Sequence, residues 1–130
     1  MSGERYLLDT NAIVSLLRGD QAMHQRLQQA EWVGISILSQ IEFLAFPNLS
    51  ANDRGIFQKF ADSVDVVGID RAERALIDRA VSLRAQYRLK LPDAIIAATA
   101  IERAAILITE DRQLQKLPAV NTSGTSASTP

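Results

Sequence analysis

Four short apolar runs, each set against a stretch with helical spacing, restrict this chain more than any other feature. The runs are Arg5-Tyr6-Leu7-Leu8, Trp32 to Ile37, Val64 to Ile69, and Ala105-Ile106-Leu107-Ile108. They have the length of strands, and several lack the polar-apolar alternation of a strand with one face in water. An apolar strand without that alternation is buried on both faces, as in parallel sheets covered by helices on either side. Between the runs, Ala12 to Leu17 has helix-like spacing before Gly19, and Gln21 to Ala30 reads as a polar helix. Ser39 opens a helix that carries Ile41, Glu42, Phe43, Leu44 and Phe46 and stops at Pro47. Ala51 to Ser63 gathers Ile56, Phe57 and Phe60 on one side. Residues 71 to 87 repeat Ala72, Leu76, Ala80, Leu83 and Tyr87 at steps of three and four. Pro92 opens a helix whose members Ala94 to Ile101 are apolar nearly all round, so it is expected to be buried. Strands alternating with helices predict an α/β fold with a parallel sheet and helices on both faces.

At 130 residues the chain suits one domain with a real core. The domain is expected to span residues 1–120, followed by a disordered tail over 121–130, where Ser, Thr, Gly, Ala and Pro leave almost nothing to bury. No cysteine is present, which excludes a disulfide framework, a thiolate zinc site and a cysteine nucleophile, and points to a reducing compartment such as the cytoplasm. Met1 to Tyr6 has no apolar signal region, and no long uncharged stretch suggests a membrane span. With 14 basic and 15 acidic side chains, nucleic acid cannot be held by bulk charge, so any such contact is local.

Four acids stand where apolar segments give way to helices: Asp9, Glu42, Asp93 and Asp111. Each has a purely structural reading. Asp9 or Thr10 can cap the helix that follows, and Asp111 can cap the short helix through Leu114. Glu42 follows Ser39 at the spacing of a capping box. Asp93 lies in a first helical turn, where the dipole favours a carboxylate. Its helix is otherwise apolar, however, and burying an unpaired carboxylate is costly unless a positive group compensates it. In open parallel sheets the functional crevice lies beyond the carboxyl ends of the strands, so clustered acids there would suit Mg²⁺ or Mn²⁺, hard cations that prefer oxygen ligands.

Four blocks carry a resemblance to a known family. They are Leu7-Leu8-Asp9-Thr10-Asn11, Ser39-Gln40-Ile41-Glu42-Phe43, Leu91 to Ala100 with Pro92-Asp93 at its head, and Leu107-Ile108-Thr109-Glu110-Asp111. In this order they resemble PIN-domain proteins, most of all the small prokaryotic toxin ribonucleases of the VapC type, over roughly residues 5 to 120. The resemblance implies a three-layer α/β/α sandwich around a parallel sheet of four to five strands, and metal-dependent cleavage of RNA. It also implies a homodimer and a cognate antitoxin as partners. It makes Asp9, Glu42, Asp93 and Asp111 the acidic site, with Asp9 and Asp93 holding Mg²⁺ or Mn²⁺ directly or through water and Glu42 and Asp111 joining them through water. Thr10, Asn11, Ser39 and Thr109 become supporting polar groups. Some relatives carry a further acid where this chain has Gln113, which leaves one or two metals open.

Arg112 and Lys116 are candidates for phosphate contact beside the acids. The basic excess of Arg71, Arg74, Arg79, Arg84, Arg88 and Lys90 reads either as a phosphate-contacting face or as ordinary solvated arginines with i,i+4 pairs such as Asp70 and Arg74. His24 is expected to be a solvated helix residue. Phe43, Leu44, Phe46, Phe57 and Phe60 are expected to pack in the core rather than to form a partner groove. Two other functions compete. A haloacid dehalogenase-type phosphatase also begins with a strand ending in Asp, but needs a second Asp where this chain has Asn11. A catalytically silent PIN-like module would bind without cutting.

Overall fold

The computed structural model describes residues 3–125. Five strands, β1 (Arg5–Leu8), β2 (Trp32–Ser36), β3 (Asp65–Val67), β4 (Ile106–Ile108) and β5 (Thr122–Ser123), form one parallel sheet in the order β3-β2-β1-β4-β5. The helices are α1 (Thr10–Leu17), α2 (Gln21–Gln28), α3 (Ile37–Leu44), α4 (Ala51–Ser63), α5 (Arg74–Tyr87), α6 (Leu91–Glu102) and α7 (Arg112–Gln115).

Strand pleating sorts the core into two clusters. Leu7 and Leu107 point to a cluster built with Leu76, Leu83, Ala94, Ala97, Ala98 and Leu114 from α5, α6 and α7. Tyr6, Leu8, Ile35 and Ile108 point to the other, with Ile13, Met23, Phe43 and Phe57 from α1 to α4. Adjacent residues of β1 and β4 therefore serve opposite faces, the behaviour that apolar strands without period-two alternation imply. This is the expected three-layer α/β/α fold.

Several boundaries follow from local chemistry. Ser36, not Ser39, caps α3, its hydroxyl accepting from Leu38 N at 3.1 Å. Helix α5 begins at Arg74 rather than near residue 71, because Asp70 accepts from Ala72 N at 2.7 Å and holds a turn there. Gly34 admits the Trp32 indole that lies against it, where a Cβ would collide with the ring. That indole is stacked by Arg5 at 4.8 Å and anchored to Asp65 at 3.0 Å.

The C-terminal segment departs from expectation. Residues 121–125 are not a tail: β5 pairs with β4, Leu107 N donating to Asn121 O at 2.8 Å and Thr109 N to Ser123 O at 2.9 Å. Arg26 bonds Ser123 Oγ at 2.9 Å and Gly124 O at 3.2 Å, and Thr125 N bonds Glu110 Oε2 at 2.8 Å. Backbone groups make most of this pairing, so a polar sequence gives no warning of it. The remainder of the expected tail, 126–130, lies outside the described residues. No helix among the described residues is long and apolar enough to cross a membrane.

Candidate acidic site

Strand order reverses between β1 and β4, where the chain returns from β3 across the sheet. Ligand crevices of open α/β sheets form beyond the carboxyl ends of strands at such a point. Asp9 N still donates to Ile108 O at 3.2 Å, so Asp9 leaves the sheet at that junction. Thr109 follows β4 directly and Asp111 lies two residues on. Helix α6 runs back toward the start of β4, which brings its first turn, with Asp93, to the same edge. Helix α3 springs from the end of neighbouring β2 and carries Glu42. Asp9, Thr10, Asn11, Glu42, Phe46, Asp93, Ile96, Asp111 and Leu114 line one cleft of about 220 Å³.

The structural and functional readings of the acids separate residue by residue. Asp9 is both a cap and a cleft wall: Oδ1 accepts from Ala12 N at 2.9 Å, closing the first turn of α1. Asp111 likewise caps α7, but through Oδ1 alone, which accepts from Gln113 N at 2.8 Å and Leu114 N at 3.2 Å. Asp93 is the acid in the first turn of α6, whose N-cap Lys90 makes no side-chain cap bond. The capping-box reading of Glu42 fails, because Ser39 sits inside α3 rather than at its cap. The Glu42 carboxylate instead accepts from Thr10 Oγ1 at 2.8 Å, an exposed bond between α1 and α3.

Burial pushes the Asp9 carboxyl above its usual range. Hydrogen bonds from Thr109 and Ala12 oppose the rise, and the charges of Asp111 and Glu42 add to it. Asp93 is raised by burial first, then by Asp111, while Lys90 opposes and Glu42 adds a further rise. The acids thus feel one another across the cleft, and none of the ion pairs among the described residues involves any of them. Even so, no group of three or more His, Asp or Glu among the described residues is arranged to hold a metal ion. The arrangement is an open acidic cleft, not a closed cage. Its all-oxygen donors fit a cation that keeps part of its water shell and takes one or two carboxylates directly.

Of the supporting residues, Thr10 and Asn11 reach the cleft. Thr109 supports it from below, holding Asp9 and accepting from Asp111 N at 3.0 Å. Ser39 does not line the cleft. Its hydroxyl is buried with no hydrogen-bond partner among the described residues. Ser39→Ala is expected to raise stability by about 1 kcal/mol, since a buried unsatisfied hydroxyl is removed; a lower melting temperature would contradict this. Thr10→Val is expected to release Glu42 and lower activity at the cleft by roughly 10-fold, the scale of losing a group that orients a site residue, with melting unchanged.

Arg112 and Lys116 are exposed on or beside α7 and do not line the cleft. Asp70 and Arg74 do not form an ion pair among those described; the arginines nearby bind elsewhere, Arg79 to Glu102 at 2.7 Å and Arg103 to Glu73 at 2.9 Å. His24 is exposed, 3.2 Å from Gln28 Nε2. Phe43 and Phe57 are buried as expected, but Phe46 is 38 % exposed and forms part of the cleft wall. Periodicity missed this because Phe46 lies past the last turn of α3, where helical spacing no longer sets direction.

A family model described as PIN domain matches residues 6–120, which is most of the chain and all of the site. The chain belongs to the PIN domain family. That assignment removes the basis for the haloacid dehalogenase alternative. Among solved structures, this PIN domain is similar to a toxin-antitoxin complex from Klebsiella pneumoniae. The two share 26% identity at a TM-score of 0.74 over 93% of this chain and 98% of that one. A VapBC2 structure from Rickettsia felis, bound to a DNA fragment from the promoter, shares 16% identity at a TM-score of 0.77 over 92% of this chain and 98% of that one. DNA-bound VapBC from Salmonella typhimurium shares 16% identity at a TM-score of 0.77 over 95% of this chain and 99% of that one. Comparison with curated proteins found no match.

Proposed function

We propose that this PIN domain is a divalent-metal-dependent endoribonuclease that hydrolyses RNA phosphodiester bonds, and that it is the toxin of a type II toxin-antitoxin pair. The observation that carries the reading is the shared cleft of Asp9, Glu42, Asp93 and Asp111, with no counter-charge from an ion pair among the described residues. A cation would complete such a cleft, since burial and the neighbouring carboxylates hold two of its acids above their usual pKa range.

Asp9 and Asp93 would hold Mg²⁺ or Mn²⁺ directly, with Glu42 and Asp111 reaching it through water. Bound there, the cation supplies charge neutralisation at the scissile phosphate and lowers the pKa of the attacking water. Asp9 is locked in one orientation by Ala12 N and Thr109. Glu42 is exposed, so its direction depends on the Thr10 hydroxyl. Asp111 engages its cap through Oδ1, which leaves Oδ2 to orient a water or a supported ligand. Arg112 and Lys116, exposed outside the cleft, would be available to phosphates flanking the reacting one. The similar structure from Klebsiella pneumoniae is a toxin-antitoxin complex, which supports a cognate antitoxin as the partner of this chain; a homodimeric state and a cytoplasmic location belong to the same proposal.

The test is a Mg²⁺ and Mn²⁺ titration with labelled single-stranded RNA, with structured RNA and DNA alongside, for the parent, Asp9→Asn and Asp93→Asn. The parent is expected to cut RNA only with metal, and both variants to lose cleavage. Equal cutting by all three, or none by any, overturns the reading; the latter is what a catalytically silent module would give. Growth arrest on expression, relieved by the product of an adjacent small gene, tests the toxin role.

A further inference from the structure

We propose that Phe46 is the surface on which a nucleobase beside the scissile phosphate stacks, so that the cleft holds one unpaired nucleotide at a fixed position from the cut. The inference rests on the ribonuclease reading and adds to it the binding of a single-stranded substrate. Phe46 is the aromatic side chain in a cleft otherwise walled by acids, Thr10, Asn11, Ile96 and Leu114. It is 38 % exposed although Phe43, one turn earlier, is buried at 6 %. The ring is nonetheless fixed from beneath: Phe43 meets it at 5.5 Å and 51°, and Phe43 in turn stacks on buried Phe57 at 4.6 Å and 17°. Phe46 N also donates to Phe43 O at 3.2 Å, which ties down the turn. A ring held this way loses little freedom when a ligand covers it.

Charge argues in the same direction. A cation at the acids, with Arg112 and Lys116 outside them, answers only the charge of the phosphates, so holding the base beside the cut takes a contact that does not depend on charge. Base-on-aromatic stacking is such a contact, and every base offers a π-face. Proteins that read RNA by this means take unpaired bases splayed from the strand. A cleft of about 220 Å³ is on the scale of one splayed base.

The experiment measures metal-dependent cleavage of single-stranded RNA by the full chain carrying Phe46→Leu, Phe46→Trp or, as a control on the outer face of α3, Ile41→Ala. Substrates with one abasic ribose at successive positions around the cut are run in parallel. Phe46→Leu is expected to raise KM by roughly 5- to 100-fold with kcat changed little, the range of losing one stacked base. Phe46→Trp should keep the parental KM, and Ile41→Ala should match the parent. Removing the base at one position should cost the parent what Phe46→Leu costs, and cost Phe46→Leu nothing more. An unchanged KM in Phe46→Leu, or an abasic penalty equal in both proteins, overturns the stacking role while leaving the ribonuclease reading intact. Absence of any RNA cleavage by the parent overturns both.

Discussion

Asp9→Asn is expected to abolish function and stabilise the metal-free protein at once. Metal-dependent cleavage should fall by at least about 100-fold, because even groups that only orient ligands cost 10- to 100-fold when removed. In the presence of EDTA at neutral pH, the same variant should melt on the order of a few degrees higher than the parent. The sign follows from the raised Asp9 carboxyl. A carboxyl whose folded pKa exceeds its unfolded value contributes stability below the unfolded pKa, and that contribution is lost as pH rises through the folded pKa. Above the folded pKa the ionised Asp9 is therefore a net cost, which asparagine avoids while still accepting from Ala12 N. The melting gap should widen as pH rises through the folded pKa, and close when Mg²⁺ is added to the parent. Thermal melts over that pH range, with and without Mg²⁺, check each part. A variant less stable than the parent at neutral pH in EDTA would show that the cap, not the burial of charge, dominates at Asp9.

Phe57→Ala is expected to give the largest loss of stability, about 3–5 kcal/mol, the cost of truncating a fully buried aromatic ring. Phe57 is 0 % exposed, stacks on Phe43 and meets Phe60 at 6.3 Å, so it joins α4 to α3 beneath the sheet. That loss is a large share of the 5–15 kcal/mol typical of a domain, so partial unfolding near body temperature should follow. Glu42 neighbours Phe43 in the chain, and the variant should therefore lose activity more steeply on warming than its melting alone accounts for. Chemical denaturation gives the stability change. A loss under about 1 kcal/mol would mean that the neighbouring rings close the space.

Much of the architecture was legible because the strands are short and apolar and the helices are periodic. Ala51 to Ser63 has the same bounds in sequence and structure, and Pro92 marks the start of α6 to within a residue. The failures have a common cause, namely bonds whose partners are distant in sequence or belong to the backbone. Strand β5 is polar and two residues long, and exists because β4 offers its open edge. Ser39 stands three residues before Glu42, as a capping box requires, but Ser36 had already closed the helix end.

The sequence alone determined which acids could matter. An acid at the head of an apolar helix, and others just past apolar strands, are unusual placements whose reason lies in composition and spacing. It also determined that the sheet is parallel, since strands buried on both faces need helices on each. Only the tertiary structure decided that β1 and β4 are neighbours at the point of reversal, and hence that Asp9, Asp93 and Asp111 share one cleft. It alone decided that Glu42 answers to Thr10 and that Phe46 faces the acids instead of the core. Those facts depend on which strands pair across about a hundred residues of chain, and a local pattern of side chains carries no record of that pairing.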